Sequence, residues 1–328
     1  MGRKPLKTSL EPFLERRRMK WAESTYKERE RKYRYLMGVF DQLRNEGNEH
    51  MFSTSKFGER EVFAFETWMI NQGLDPRTKK KYRAMVNDLL IWNGNYVYDQ
   101  LLQRGDIVNT APDKEIKTIS NQDFQKLLKH GKQDRDTWEG QLGYFMVAMY
   151  GYCALRNKEL RLANLEDIDT KHWVYTVKHP KGEGKYGKQR SIPIVPPLRP
   201  IVQEYLIQRK AHLLKHGIED AKPLIPSIPR HGTEVSFYSD NKLRSVARNM
   251  ASASGVEFQI KMLRASCAQI LKDQGLPIET ISKFLGHSNT KTTEKFYARI
   301  RDEQMFKDIN NLYEQPEEPD NKYSLIYV

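Results

Sequence analysis

Apolar side chains in this 328-residue chain recur at three- and four-residue steps over most of its length, but between residues 173 and 194 that period is lost. Trp173-Val174-Tyr175-Thr176-Val177 and Arg190-Ser191-Ile192-Pro193-Ile194 are rich in β-branched and aromatic residues, which favour extended, pleated backbone. The joining segment, HPKGEGKYGKQ, holds three glycines and a cluster of basic residues, so the two runs read as a hairpin, or part of a small sheet, with a long, flexible, basic turn. A helical chain with one short β-rich island buries that island as a small sheet packed on helices. The predicted fold class is therefore mainly α with a small antiparallel β-sheet.

The N-terminal third reads as helices alone. From Ser9 to Asn45, Tyr26, Tyr33, Leu36, Met37, Phe40 and Leu43 mark one face, while Arg and Glu fill the other. Glu61 to Gln72 carries Val62, Phe65, Trp68 and Met69, and Asn71-Gln72-Gly73 closes it. Asp75-Pro76 opens the next helix, which runs to Trp92, with Asp as N-cap and Pro at the first helical position. The period fails around Arg104–Lys117, where Gly105 and Pro112 mark a linker. Beyond it Ser120 caps a helix with Asp123 in its first turn. Leu142, Phe145, Met146 and Met149 form a core-facing stripe from Gly140 to Tyr152, ended by Gly151 and Cys153-Ala154, and Asn157 to Leu162 is a short helix. After Pro196-Pro197 the helical period returns through about residue 310. The expected divisions are a basic arm (1–8), a helical module (9–105), a linker (106–117), a larger domain (118–312) and a tail (313–328).

Charge narrows the class of partner. Lys and Arg outnumber Asp and Glu by 55 to 42, a net +13 that points to a polyanion. Residues 1–110 carry 21 basic against 15 acidic side chains, residues 111–312 carry 33 against 23, and residues 313–328 carry one against four. Contact with nucleic acid should then involve both lobes, with the acidic tail kept away from it. Apolar residues make up 38%, enough for a real core. No run approaches ~20 apolar residues and the first 30 are charged throughout, so neither a membrane span nor a secretory signal is expected. The expected location is the cytoplasm, in association with the nucleoid. Cys153 and Cys267 lie in apolar helical patterns without Cys or His neighbours, which predicts buried thiols rather than a zinc site. The chain has no HExxH pair, GxxxxGK[ST] loop or GxGxxG turn, so no cofactor and no metal are expected.

Three segments combine basic residues with tight local context. CALRNKEL places Arg156 at a helix start with Glu159 one turn later, able to pair with a cation. IKMLRASCAQILKDQG puts Lys261 and Arg264 on one helical face and Leu263, Cys267, Ile270 and Leu271 on the buried one. LGHSNTKTTEKFYARI ends a helix at Gly286, follows with His287 and a capping Ser288 or Thr290, and then carries Tyr297 on a short helix. In this order the segments resemble the tyrosine recombinase family, the phage integrases and Xer-type site-specific recombinases. That family has an Arg in G-L-R-x-x-E-L, a Lys in a hairpin turn, H-x-x-R, then L-G-H and a Tyr about ten residues on. The hairpin pattern G-K-x-x-K-x-R-x-x-P matches Gly184 to Pro193 and selects Lys185, with Lys181 and Lys188 as alternatives. The likeness covers roughly residues 20–300, because the N-terminal helices also resemble the family's core-binding domain.

Three departures stand out. Ala154 replaces the common Gly before Leu155-Arg156, Lys261 stands where the family usually has His, and His287 to Tyr297 is one residue longer than the commonest spacing. A lysine at 261 excludes imidazole acid–base chemistry there and leaves a phosphate-binding cation.

The resemblance implies a two-domain clamp on double-stranded DNA, a dimer per site and a tetramer in synapsis. It also implies a DNA strand transferase that needs neither metal nor ATP, of the kind encoded by mobile elements or used in chromosome-dimer resolution. Tyr297 is the implied nucleophile, Arg156, Lys185, Lys261, Arg264 and His287 the other catalytic residues, and Glu159 a supporting one. A type IB topoisomerase-like nicking-closing enzyme and a catalytically silent DNA-binding regulator are the competing readings. The apolar end Tyr323–Val328 suggests a segment that docks on a neighbouring protomer.

Overall fold

The computed structural model describes residues 5–112, 117–184, 187–229, 234–287, 290 and 293. Contacts divide the chain into two units, Met1–Lys114 and Glu115–Val328.

The first unit is built from α1 (Leu6–Arg18), α2 (Glu23–Asn45), α3 (Glu59–Asn71), α4 (Pro76–Trp92) and α5 (Val97–Arg104). Its helices begin where local chemistry satisfies the first free N–H groups. Asp75 Oδ1 accepts from the N–H of Arg77 (3.0 Å) and Thr78 (3.2 Å), which starts α4 at Pro76 as the sequence predicts. Glu61 Oε2 returns to the Gly58 N–H at 2.9 Å, so α3 starts two residues before the expected Glu61. The segment read as helical from Ser9 to Asn45 is two helices. Between them the chain reverses, Trp21 and Tyr33 meet Phe13 edge-on at 6.4 and 5.2 Å, and the apolar faces of α1 and α2 close on each other. Leu6 to Thr8, expected in the basic arm, open α1, because Leu6 is fully buried and its N–H donates to the Phe52 carbonyl at 2.8 Å. A buried ion pair spans α3 and α4: Arg83 donates to both oxygens of Glu66 (2.7 and 2.6 Å) and, from Nη1, to the Val108 carbonyl (2.8 Å).

The second unit contains α6 (Asn121–Gln133), α7 (Trp138–Cys153), α8 (Asn157–Arg161), β1 (Ile168–Asp169), β2 (Val174–Val177), β3 (Arg190–Pro193), α9 (Arg199–Lys215), β4 (Pro226–Ser227), β5 (Ser236–Phe237), α10 (Asp240–Ser254), α11 (Ile260–Asp273) and α12 (Ile278–Leu285). Ser120 caps α6 through the Asp123 N–H at 3.0 Å. α7 is the central element: every residue from Gly140 to Gly151 is buried, so the predicted stripe is one side of a helix that is apolar all round. It packs against α6, α9, α10 and α11. Gly151 does not end it. A Cβ there would lie 2.2 Å from the Phe124 ring, so glycine is what lets α6 and α7 approach.

The predicted hairpin is β2 with β3, antiparallel, Tyr175 opposite Ile192 and Val177 opposite Arg190. β1 adds a third strand beside β2. Tyr175, Val177 and Ile192 are buried on the helix side, in line with the two-residue period. A second, two-stranded sheet of β4 and β5 interrupts the segment read as helical after Pro196-Pro197. Two-residue strands carry no alternation for a sequence reading to detect. Cys153 and Cys267 are buried thiols, and burial raises both above the ordinary range, Cys267 to about 12. Among the described residues no helix is long and apolar enough to cross a membrane.

Candidate active site

The end of α7 begins the site. Its cap, Ala154, has φ 50° and ψ 37°, a left-handed backbone that glycine adopts freely and that costs an alanine roughly 1–2 kcal/mol. This gives the Gly-to-Ala departure its physical meaning. Arg264 compensates by donating from Nη1 to the Ala154 carbonyl, so the turn is braced by a cation from α11.

Two residues on, Arg156 is the N-cap of α8, and Glu159 at the third helical position accepts its N–H at 2.9 Å. The sequence Arg-x-x-Glu is thus a helix start in which the carboxylate closes the cap. Tyr175 of β2 donates to the Glu159 carbonyl at 2.8 Å and seats α8 on the sheet. The Glu159 carboxylate is fully buried and faces three guanidinium groups. Arg156 Nη1 donates to Oε1 at 2.8 Å, Arg190 donates to Oε1 at 3.1 Å and Oε2 at 2.8 Å, and Arg264 Nη1 lies 3.8 Å from Oε2. Burial pushes this carboxyl upward, but the Arg190 hydrogen bonds and the charges of Arg190 and Arg264 outweigh it and hold the group below its ordinary value. One carboxylate against three guanidinium groups leaves the cluster with a net +2.

α12 delivers the remaining member. It ends at Gly286, φ 66°, the left-handed stop that the L-G-H sequence predicts. Arg264 Nη2 donates to the Leu285 carbonyl at 2.7 Å and approaches His287 Nε2 at 3.3 Å. A guanidinium only donates, so Nε2 is the acceptor and the ring proton sits on Nδ1, which donates to Thr293 Oγ at 2.7 Å. Burial and the cations Arg264, Arg156 and Arg190 depress His287 to about 4, so the ring is neutral at physiological pH.

Of the residues expected from the sequence, Arg156, Glu159, Arg264 and His287 are brought together. Side-chain exposure separates the arginines: 25% for Arg156 against 11% for Arg190 and 9% for Arg264. Arg156 therefore offers the most accessible charge. Lys261 is exposed on the first turn of α11, one turn before Arg264. Lys181 and Lys188 are exposed on the hairpin turn. Lys185 and Tyr297 lie outside the described residues, as does the tail 313–328. Two members were not foreseen. Arg190 served only as a register mark for the hairpin lysine, and an arginine at the foot of a basic turn was its one signal. Thr293 had none.

Among the described residues no group of three or more His, Cys, Asp or Glu side chains is placed to hold a metal ion. A cluster that combines three cations, a buried balancing carboxylate and a neutral imidazole suits an anion whose charge grows during reaction.

The model of the phage integrase family matches residues 117–304, more than half of the chain and the whole of this cluster.

The chain belongs to the phage integrase family.

Among curated proteins it is similar to the tyrosine recombinase XerC of Caldanaerobacter subterraneus, 26% identical over 220 residues, which span 65% of this chain and 58% of that protein. It is also similar to the tyrosine recombinase XerD of Listeria innocua, 22% identical over 279 residues, 83% of this chain and 86% of that one. Several curated relatives are matched over only about half of their length. Among solved structures, the XerH site-specific recombinase bound to palindromic difH substrate superposes with a TM-score of 0.61 at 17% identity, covering 93% of this chain and 94% of that one. A lambda integrase dimer bound to a COC' core site gives 0.60 at 14% identity, covering 90% and 77%. At these identities the superpositions establish the integrase fold, mainly helical with small antiparallel sheets.

Proposed function

We propose that this phage integrase family member is a site-specific recombinase of double-stranded DNA, cleaving and rejoining strands through a 3′-phosphotyrosyl link to Tyr297. The observation that carries the reading is the convergence of Arg156, Arg264 and His287 around the buried Glu159. A phosphodiester resists attack because its oxygens are already negative and its leaving alkoxide is poor. Arg156 and Arg264 stabilise the extra charge of the five-coordinate transition state more than that of the ground state. The Tyr297 oxygen attacks phosphorus, the P–O5′ bond breaks, and the departing O5′ takes a proton from Lys185. A phenol has an ordinary pKa near ~10, and the net positive cluster favours its phenolate. His287, whose Nε2 accepts from Arg264, orients that guanidinium toward a non-bridging oxygen, and Lys261 adds positive charge beside the phosphate. The ester keeps the energy of the broken bond, so rejoining by a 5′-hydroxyl requires neither ATP nor a metal.

In this reading both the helical first unit and the catalytic second unit contact the duplex, with a dimer per site and a tetramer in synapsis. The apolar segment at Tyr323–Val328 joins neighbouring protomers. Both units are basic, which supplies the sequence-independent part of affinity and its salt dependence. DNA-bound recombinases among the structures of similar fold support this choice of partner.

The test uses a duplex selected from a random pool by binding to the full chain, then nicked so that the cleaved fragment diffuses away. Wild type accumulates a covalent adduct and Tyr297→Phe does not. No adduct with wild type, or an adduct that persists in Tyr297→Phe, refutes the reading.

A further inference from the structure

The Arg190 guanidinium is held on two edges. Nη1 and Nη2 grip the two oxygens of Glu159 at 3.1 and 2.8 Å, while Nε donates to the Phe284 carbonyl in the last turn of α12 at 3.1 Å. The third constraint comes from Gly286. A Cβ on that residue would lie 2.7 Å from Arg190 Nη1, 2.8 Å from Cζ and 2.9 Å from Cδ. The guanidinium therefore occupies the space a side chain at position 286 would need. Glycine in L-G-H answers two demands at once, the left-handed φ of 66° and the presence of Arg190 against its α-carbon.

Arg190 is also the first residue of β3, paired with Val177, and the basic turn grows from that pair. Its backbone belongs to the hairpin and its side chain belongs to the cluster. Glu159 on α8, Phe284 on α12 and the strand pair are held to one another through this one planar group.

We propose that Arg190 is a positioning residue: clamped between Glu159 and Phe284 against Gly286, it locks the foot of the basic hairpin onto the Arg156–Arg264–His287 cluster. This rests on the recombinase reading above. Arg190 acts through Glu159, which it neutralises. Without it the carboxylate draws Arg156 and Arg264 toward itself, and the Val177–Arg190 strand pair from which the basic turn grows loses its tie to the cluster. Lysine is no substitute, because a point charge cannot hold both carboxylate oxygens and the Phe284 carbonyl together. Misplacement of about 1 Å costs on the order of 100-fold in rate.

The experiment compares wild type, Arg190→Gln, Arg190→Lys, Gly286→Ala, Glu159→Gln and the double variant Glu159→Gln/Arg190→Gln. Rates of covalent adduct formation are read beside DNA affinity and its salt dependence. The expected result is a loss of about 100-fold in cleavage for Arg190→Gln with affinity within about 3-fold and an unchanged salt slope. Arg190→Lys and Gly286→Ala, which leave the number of charges intact, should lose cleavage similarly. The double variant should be no slower than the slower of its two singles, because both changes break one contact. Cleavage near the wild-type rate in Arg190→Gln overturns the proposal. So do losses that multiply in the double variant, or a salt slope reduced by about one, which would make Arg190 a phosphate contact.

A wild type that forms no adduct sinks the recombinase reading instead. Positioning is then decided by NMR of the His287 ring in the free protein. Its Nδ1–H signal and titration should move in Gly286→Ala and Arg190→Lys if the clamp orders the cluster, and stay in place if it does not.

Discussion

Replacing Glu159 by Gln removes one charge and almost no volume, so its cost measures what a buried carboxylate does for three arginines. The side chain is 0% exposed, and its partners Arg190 and Arg264 are 11% and 9% exposed. The carboxylate accepts four hydrogen bonds of 2.8 to 3.1 Å, three from guanidinium groups and one from the Arg156 N–H. An amide keeps one acceptor oxygen and turns an NH2 group toward groups that can only donate. At least two charge-assisted bonds are lost, worth about 1.5–3 kcal/mol each, and the whole cost of breaking a buried ion pair by removing one partner, those bonds included, is typically about 3–5 kcal/mol. The expected loss of stability is therefore about 3–5 kcal/mol, a large share of the roughly 5–15 kcal/mol that holds a domain together.

Urea unfolding of the full chain followed by far-UV circular dichroism should show the transition of the second unit moved down by about 1–2 M with its slope unchanged. Because the Glu159 carboxyl is held below its ordinary value, its contribution is present at neutral pH and disappears as pH falls through the folded-state value. The wild-type and variant midpoints should therefore converge in acid. A loss below about 1 kcal/mol at neutral pH, or a gap that does not close in acid, would refute the account of Glu159 as the counter-charge of the cluster.

The depressed His287 gives a second pH dependence: from 6.5 down to about 4 the unfolded chain takes up the proton first, so stability should fall as pH drops across that window. Discounted for the solvent that reaches this half-buried ring, the effect is about 1–2 kcal/mol, and His287→Gln should flatten it; equal slopes in the two proteins would contradict the assignment of a neutral ring. Two glycine substitutions should act in opposite directions. Gly151→Ala drives a Cβ into the Phe124 ring and should destabilise by about 1–3 kcal/mol, whereas Gly38→Ala on α2, with nothing within 4 Å, should stabilise by about 0.5–1 kcal/mol, both read from denaturation midpoints.

Local rules carried the sequence reading a long way. α4 starts and ends where Asp75-Pro76 and the apolar period place it, and β2 pairs with β3 where the β-formers lie. The motifs named Arg156, Glu159, Arg264 and His287, and those four meet in space. The reading failed where the deciding contact is not local. One amphipathic run became α1 and α2 because a straight helix could not close its own apolar face. Gly151 read as a helix end, but its lack of a side chain serves the neighbouring helix α6. The strands β4 and β5 are too short to show alternation.

The chain by itself determined where most helices begin, which residue types line their faces, and which cations and imidazole are present for phosphate chemistry. Those properties depend on neighbours within a turn or two. Tertiary structure alone decided that Arg190 closes on Glu159 across 31 residues and that Arg264 braces the left-handed Ala154 across 110. It also set the His287 proton on Nδ1, through Arg264 on one side and Thr293 on the other. Burial makes those contacts strong, and burial is a property of the packed chain that no short window of sequence contains.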